Sequence, residues 1–114
     1  MTDQPSAAWP TELILKRAAK VLAITFDDTS EFEISFELLR IESPSAQVQG
    51  HSATEKKIII GKADVTVIRA EPVGRYAVRL VFDDGHDSGI FTWDWLYRLG
   101  RDQVALMAAY RAAL

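Results

Sequence analysis

The stretch Val21–Arg40, VLAITFDDTSEFEISFELLR, decides how the rest of the chain is read. Leu22, Ile24 and Phe26 fall on one face of an apolar run, and Phe32, Ile34 and Phe36 alternate with Glu31, Glu33 and Ser35, the period of two expected of half-buried strands. Asp27-Asp28-Thr29 between them has turn chemistry, so the stretch predicts a β-hairpin. Glu37-Leu38-Leu39-Arg40 then favours one or two helical turns starting near Phe36, and proline in Ser43-Pro44-Ser45 stops them.

The same order recurs later. Tyr76, Val78, Leu80 and Phe82 alternate with Ala77, Arg79 and Val81; then come Asp83-Asp84, a turn, a short apolar run and a helical segment ending in Leu96-Tyr97-Arg98-Leu99. Phe26-Asp27-Asp28 is matched by Phe82-Asp83-Asp84, and Leu38-Leu39-Arg40 by Leu96-Tyr97-Arg98. One supersecondary unit used twice and the shared demands of hairpin turns both account for the echo.

Outward from these units, Leu13–Lys16 reads as a strand joined to Val21–Phe26 through Ala19-Lys20. Residues 1–11, with Pro5 and Pro10, read as a disordered leader, and Trp9 is not expected to pack; residues 12–114 form a single domain. Residues 43–57 have little periodicity and predict a surface loop. Ile58–Lys62 predicts a short extra strand, Val65–Ala70 a strand, and Glu71–Gly74 a turn. Thr92 is the expected N-cap of a helix over Trp93–Leu99 that Gly100 stops, with Asp102 capping a last helix over Gln103–Leu114. The expected class is α+β: a small antiparallel sheet from two related hairpins, short helices and a C-terminal helix.

At 114 residues, 48% hydrophobic and 25% charged, the chain has the composition of one soluble globular domain. A net charge of -3, with the 13 Lys and Arg scattered among acids, argues against a nucleic-acid partner. No apolar run is long enough to span a membrane and the first residues do not resemble a signal peptide, so a cytoplasmic location is expected. The absence of cysteine removes disulfides, thiolate-bound zinc, iron–sulfur clusters and thiol nucleophiles.

Chemistry concentrates in Asp83–Leu96, DDGHDSGIFTWDWL. His86 among Asp83, Asp84 and Asp87 offers a mixed nitrogen and oxygen metal shell, with His51 in the 43–57 loop the one other histidine. Against this, Asp-Asp-Gly is a hairpin-turn signature, and neighbouring turn residues diverge. Neither histidine is followed by the acid of a His-x-Asp/Glu iron motif, no Gly-x-Ser-x-Gly elbow accompanies Ser52 or Ser88, and Gly61-Lys62 lacks the earlier glycine of a phosphate loop. Trp93 and Trp95 read as core or as a binding platform, and Arg40 as a structural cation reaching a carboxylate of the other half.

Taken together, Phe36–Arg40, Ser43–Ala46, Glu71–Ala77 and Phe82–Trp93 resemble the gamma-butyrobetaine hydroxylase-like N-terminal domain family over roughly Leu13 to Gly100. In the carnitine-pathway hydroxylases such a domain precedes an iron- and 2-oxoglutarate-dependent catalytic domain and holds structural zinc through three cysteines and a histidine. Similar domains stand alone in bacteria or are fused to iron–sulfur cluster carrier ATPases. The resemblance implies that His86 matches the histidine ligand and that the cysteine positions fall on Ser43, Ser45 and Val48, so the cysteine-type zinc site should be absent. It further implies an accessory, non-catalytic interaction or assembly module, with an oxygenase or iron–sulfur cluster carrier as partner. The alternative is an iron- or zinc-binding protein using His86, Asp84 and Asp87.

Overall fold

The computed structural model describes residues 8–50 and 56–114. Its elements are β1 (Pro10–Lys16), β2 (Val21–Phe26), β3 (Glu31–Ser35), α1 (Phe36–Ile41), α2 (Ala46–Gln49), β4 (Val67–Val73), β5 (Ala77–Phe82), β6 (Gly89–Thr92) and α3 (Trp93–Ala113). The expected α+β class holds, and the strands form two three-stranded antiparallel sheets, β1-β2-β3 and β4-β5-β6.

The two sheets repeat one another pair by pair. Val21 lies opposite Ser35 and Ile24 opposite Phe32 in the first, as Ala77 lies opposite Thr92 and Leu80 opposite Gly89 in the second. Each outer strand carries an irregularity at the same place, Pro10/Glu12 in β1 and Val67/Arg69 in β4. The turns match bond by bond. Phe26 N–H donates to Ser30 O at 2.8 Å and Phe82 N–H to His86 O at 2.9 Å, around Thr29 (φ 72) and Gly85 (φ 90). The second aspartate of each turn accepts from the backbone two residues on, Asp28 from Ser30 and Asp84 from His86, which fixes the turn locally. The first aspartate accepts from the residue just ahead of the other outer strand, Asp27 from Trp9 N–H and Asp83 from Thr66 N–H. Ser35 and Thr92 then cap α1 and α3 by accepting from Leu38 and Trp95 N–H. The echo in the sequence is therefore one structural unit used twice.

The two units share a single core, in which Leu22, Ile24, Phe26, Ile34 and Phe36 of the first pack with Leu80, Phe82, Phe91, Leu96 and Leu99 of the second. Each unit also closes the other's turn: Asp28 accepts from Tyr97 of α3 at 2.7 Å, and Asp84 accepts from Arg40 Nε of α1 at 2.8 Å.

Several expectations are corrected. Residues 8–11 of the expected leader are held: Ala8 is buried, Trp9 bonds Asp27 through both backbone groups although its side chain is half exposed, and β1 begins at Pro10. Ile58–Lys62 forms no strand; Ile59 packs against the core and its carbonyl accepts from Tyr110 Oη. β4 runs from Val67 through Val73, so Glu71-Pro72-Val73 is strand, not turn, and Pro72 is tolerated because β4 is an edge. The loop expected over 43–57 is partly core, with Ser43, Ser45 and Val48 buried and α2 inside it.

The largest correction is at Gly100, which lies inside the continuous 21-residue α3 and stops nothing. A Cβ there would press on the Phe32 ring at Cγ and lie 2.7 Å from Phe32 Cβ, so glycine is required by close approach of β3. One turn on, Gln103 clamps the edge of β3, donating to Glu33 O at 2.8 Å and accepting from Ser35 N–H at 2.9 Å. These contacts carry the helix past a residue that costs about 1 kcal/mol relative to alanine in isolation. Asp102, expected as a cap, instead pairs with Arg101 on the helix surface.

Candidate functional site

The exit of α1 and the β5–β6 turn meet in a buried polar cluster. Ser43 and Ser45 follow α1, Gln47 lies on α2, and His86 and Ser88 lie on the turn. His86 is only 5% exposed. Its Nδ1 is 3.1 Å from Gln47 Oε1 and its Nε2 is 2.9 Å from Ser43 Oγ. Because an amide oxygen only accepts, the proton sits on Nδ1, and Nε2 accepts from the Ser43 hydroxyl. Ser43 Oγ in turn accepts from Ser45 N–H, and Ser45 Oγ lies 2.7 Å from Ser88 Oγ. Gly89 makes room for this packing, since a Cβ there would lie 2.5 Å from Ser43 Oγ.

Repetition of the unit explains where the cluster sits. Gly89 is the register equivalent of Phe32, and Ser43 occupies the place after α1 that Gly100 occupies in α3. On one side the large ring of Phe32 meets Gly100; on the other Gly89 meets Ser43, and His86 enters the cluster beside the Phe82 ring, their centroids 5.8 Å apart.

The acids take no part in that cluster. Asp84 Oδ2 is 2.8 Å from Arg40 Nε and 2.7 Å from Lys62 Nζ, with Arg40 and Asp84 side chains 12% and 18% exposed. Burial alone would raise the Asp84 carboxyl, but hydrogen bonds from Lys62 and Arg40 outweigh it and hold the group far below the usual carboxylate range. Asp87 is largely exposed and faces Arg79, at 3.7 Å. His86, Asp84 and Asp87 therefore do not converge, and among the described residues no three His, Asp or Glu side chains form a metal-ligating group. His51 lies outside the described residues.

Two of the positions that the resemblance assigned to zinc, Ser43 and Ser45, gather at His86. Ser43 touches His86, Ser45 is one bond further on, and Val48 is buried on the helix that carries Gln47. Their chemistry does not fit the ion: one imidazole with both nitrogens hydrogen-bonded, two neutral hydroxyls and an apolar side chain replace the thiolates that such a centre needs. A hydrogen-bond network stands where that centre would be. Gln47, which completes the network, was missed by the reading of the sequence, and Ser88 was weighed there only as a nucleophile, because nothing in local spacing links positions about forty residues apart.

Burial first, then the positive charge of Arg40, pushes the His86 imidazole below its ordinary value. The unfolded chain then takes up a proton first as pH falls. Stability from this residue is present above about pH 6.5, declines through the window down to the lowered folded value, and levels off below it. Urea denaturation at neutral and mildly acid pH should show this loss in the wild type and not in His86→Gln; identical pH profiles would remove His86 as its source.

Trp93 and Trp95 are both half-buried and anchored at α3, Trp93 Nε1 donating to Arg75 O at 2.7 Å and Trp95 Nε1 to Glu42 O at 2.9 Å. Arg40 reaches a carboxylate of the other half, as its sequence position suggested.

Comparison with known proteins places this geometry. Among solved structures, a protein of unknown function from Acidithiobacillus ferrooxidans, of the DUF971 family, is 36% identical, with a TM-score of 0.70 over 87% of this chain and 98% of that one. Two proteins with NMR solution structures are 46% and 42% identical, with TM-scores of 0.84 and 0.81, over 100% and 94% of this chain and 85% and 84% of theirs. No curated protein matches the chain. The family model for the gamma-butyrobetaine hydroxylase-like N-terminal domain matches residues 13–97, and the chain belongs to that family.

Proposed function

We propose that the chain is a non-catalytic interaction or assembly module whose partner is an oxygenase or an iron–sulfur cluster carrier. The partner class rests on analogy with proteins in which the resembling domain is joined to such units. The observation that carries the reading is an apolar groove of about 200 Å³ between Ile58-Ile59 and the last turns of α3, lined there by Leu106, Tyr110 and Ala113. Exposed Ile60 and Leu114 add apolar surface to these two segments. Side chains of this size left in water are the material of protein interfaces. The polar groups around His86, by contrast, are bonded to one another.

Cross-linking in host extract should capture a carrier or oxygenase with the wild type and lose it with Ile58→Asp. Ile58 lines the groove and is 59% exposed, so the substitution should leave stability unchanged within about 0.5 kcal/mol. Equal capture by both proteins, or capture of neither partner class, would count against the module. The alternative, iron or zinc held by His86 with Asp84 and Asp87, is separated by titration with Zn(II) or Fe(II) while the His86 ring resonances are followed. The module reading expects no shift at micromolar metal; a saturable shift would favour the alternative.

A further inference from the structure

Three consecutive β-branched residues, Ile58-Ile59-Ile60, favour a strand, yet residues 56–60 are neither strand, helix nor turn. Their exposure nevertheless alternates as a strand's does: Ile58 and Ile60 are 59% and 65% exposed, and Ile59 between them packs on the core. The backbone alternates as well. Lys57 N–H donates to Val48 O at 2.8 Å, and Ile59 O accepts from Tyr110 Oη at 2.7 Å, so these two residues are tied to the chain beside α2 and to α3. In an extended run, neighbouring residues turn their N–H and C=O to opposite sides, which points those of Ile58 and Ile60 away from the helices. Among the described residues no backbone hydrogen bond reaches either. The segment is held at Lys57 and Ile59 in the form of a sheet edge, with the outward row of polar groups open to pairing.

Charge selects what can pair there. Residues 56–62 carry Lys56, Lys57 and Lys62 and no acid, in a chain whose net charge is -3. Lys56 is paired with Glu42 and Lys62 with Asp84, whereas exposed Lys57 has no ion pair among the described residues. Gly61, at φ 76, ends the run. A second copy pairing antiparallel about Ile59 would bring Lys56 and Lys62 face to face, and a parallel copy would set each lysine opposite itself. Like charges directly opposite one another oppose both arrangements. A strand with acids at its ends meets attraction at the same places.

We propose that the outward edge of Ile58 and Ile60 accepts an extended, acid-flanked segment of a partner protein as an added strand. The segment's main chain pairs with the N–H and C=O of Ile58 and Ile60, its apolar side chains lie beside theirs, and an acid meets Lys57. The edge faces away from Tyr110 and the groove, and the inference does not depend on which class of protein the partner is. With two outward residues the edge is short, so an isolated peptide should bind with Kd of roughly 0.1–1 mM.

The test titrates the isotopically labelled full chain with the capped peptide Glu-Val-Thr-Val-Glu. Saturable NMR shifts and slowed hydrogen exchange are expected at the Ile58 and Ile60 amides, with little change at Ile59. Methylating the amide nitrogens of the two valines and methylating that of the threonine should have opposite effects, one abolishing binding and the other preserving it, because only alternate amides of an added strand face the edge. Replacing both glutamates by lysine should weaken binding about threefold to tenfold, and Lys57→Glu should weaken the parent peptide and strengthen the lysine one. Ile60→Pro removes an outward N–H from an exposed residue and should abolish binding with the rest of the amide spectrum unchanged. Equal binding of the two methylated peptides, shifts confined to Ala109 and Ala113 in the groove, or no saturable shift at millimolar peptide would overturn the added strand. Equal binding of the lysine peptide would overturn the acidic occupant, and Ile58 and Ile60 shifts that grow with protein concentration alone would assign the edge to a second copy instead. Failure here would leave capture of a carrier or oxygenase, and its loss in Ile58→Asp, to stand on their own.

Discussion

Asp84→Ala is expected to cost about 2–4 kcal/mol, below the upper range for fully buried pairs because the partners retain some exposure. Three contacts vanish together: the bonds from Arg40 and Lys62 to Oδ2 and the bond from His86 N–H to Oδ1. What remains is worse than their absence. Arg40, with a side chain 12% exposed and one guanidinium nitrogen, Nη1, already buried without a partner among the described residues, loses its countercharge. An uncompensated guanidinium among core side chains is the costly state, and it falls where α1 of the first unit closes the turn of the second. Asp28→Ala, at the equivalent position, should cost clearly less, because Asp28 meets a neutral Tyr97 hydroxyl at an exposed turn. Chemical denaturation of the two variants in parallel checks the ranking, and equal losses would show that the ion pair adds nothing beyond the turn.

The same residue gives a pH signature. The folded carboxyl is held below the ordinary value, so its contribution is fully present above about pH 5 and is lost as pH falls through the ordinary carboxylate range toward the lowered folded value. Acid should therefore erode the difference between wild type and Asp84→Ala. A difference that stayed constant from neutral to strongly acid pH would contradict an ionised Asp84 as its cause. The His86 component begins to fall at a higher pH, near 6.5, so the onsets of the two components differ in one titration of stability.

Gly100→Ala is the second large effect, and its sign is diagnostic. In an exposed helix interior the change stabilises by about 1 kcal/mol. Here the new Cβ overlaps Phe32 at Cγ and Cβ, the root of the side chain and not its free end, so the ring cannot swing clear without moving β3. Overpacking of this kind costs about 1–3 kcal/mol and is expected to outweigh the gain in propensity, giving a net loss. Phe32→Ala removes the ring but keeps the Cβ that lies 2.7 Å from the new atom, so Gly100→Ala should cost less in that background while remaining destabilising. A double-mutant cycle by thermal or urea denaturation measures the relief; additivity of the two changes would mean that the helix does not bear on the Phe32 ring.

The hairpin Val21–Ser35 and the repeated Phe-Asp-Asp turn were legible because strand alternation and turn chemistry are local. The N-caps Ser35 and Thr92 act within three residues, and the match to residues 13–97 confirms the extent over which the family motifs were recognised. Arg40 was legible in kind, since a cation at a helix end seeks a carboxylate, though its partner Asp84 lies on the other unit.

The misread positions share one cause. Gly100 looks like a helix stop and Ile58–Lys62 like a strand when neighbours in sequence are all that is considered. Phe32 against Gly100, Gln103 on the edge of β3 and Ile59 packed on the core with its carbonyl on Tyr110 are facts of the fold. By itself the sequence determined the α+β class and the family and showed the echo between the two hairpins, because periodicity, turns and caps are encoded within a few residues; that the echo is one unit used twice was decided by the matching registers. Only the tertiary structure decided that His86 spends both ring nitrogens on Gln47 and Ser43 while Asp84 turns to Arg40 and Lys62, because side-chain direction in a turn is set by what packs against it.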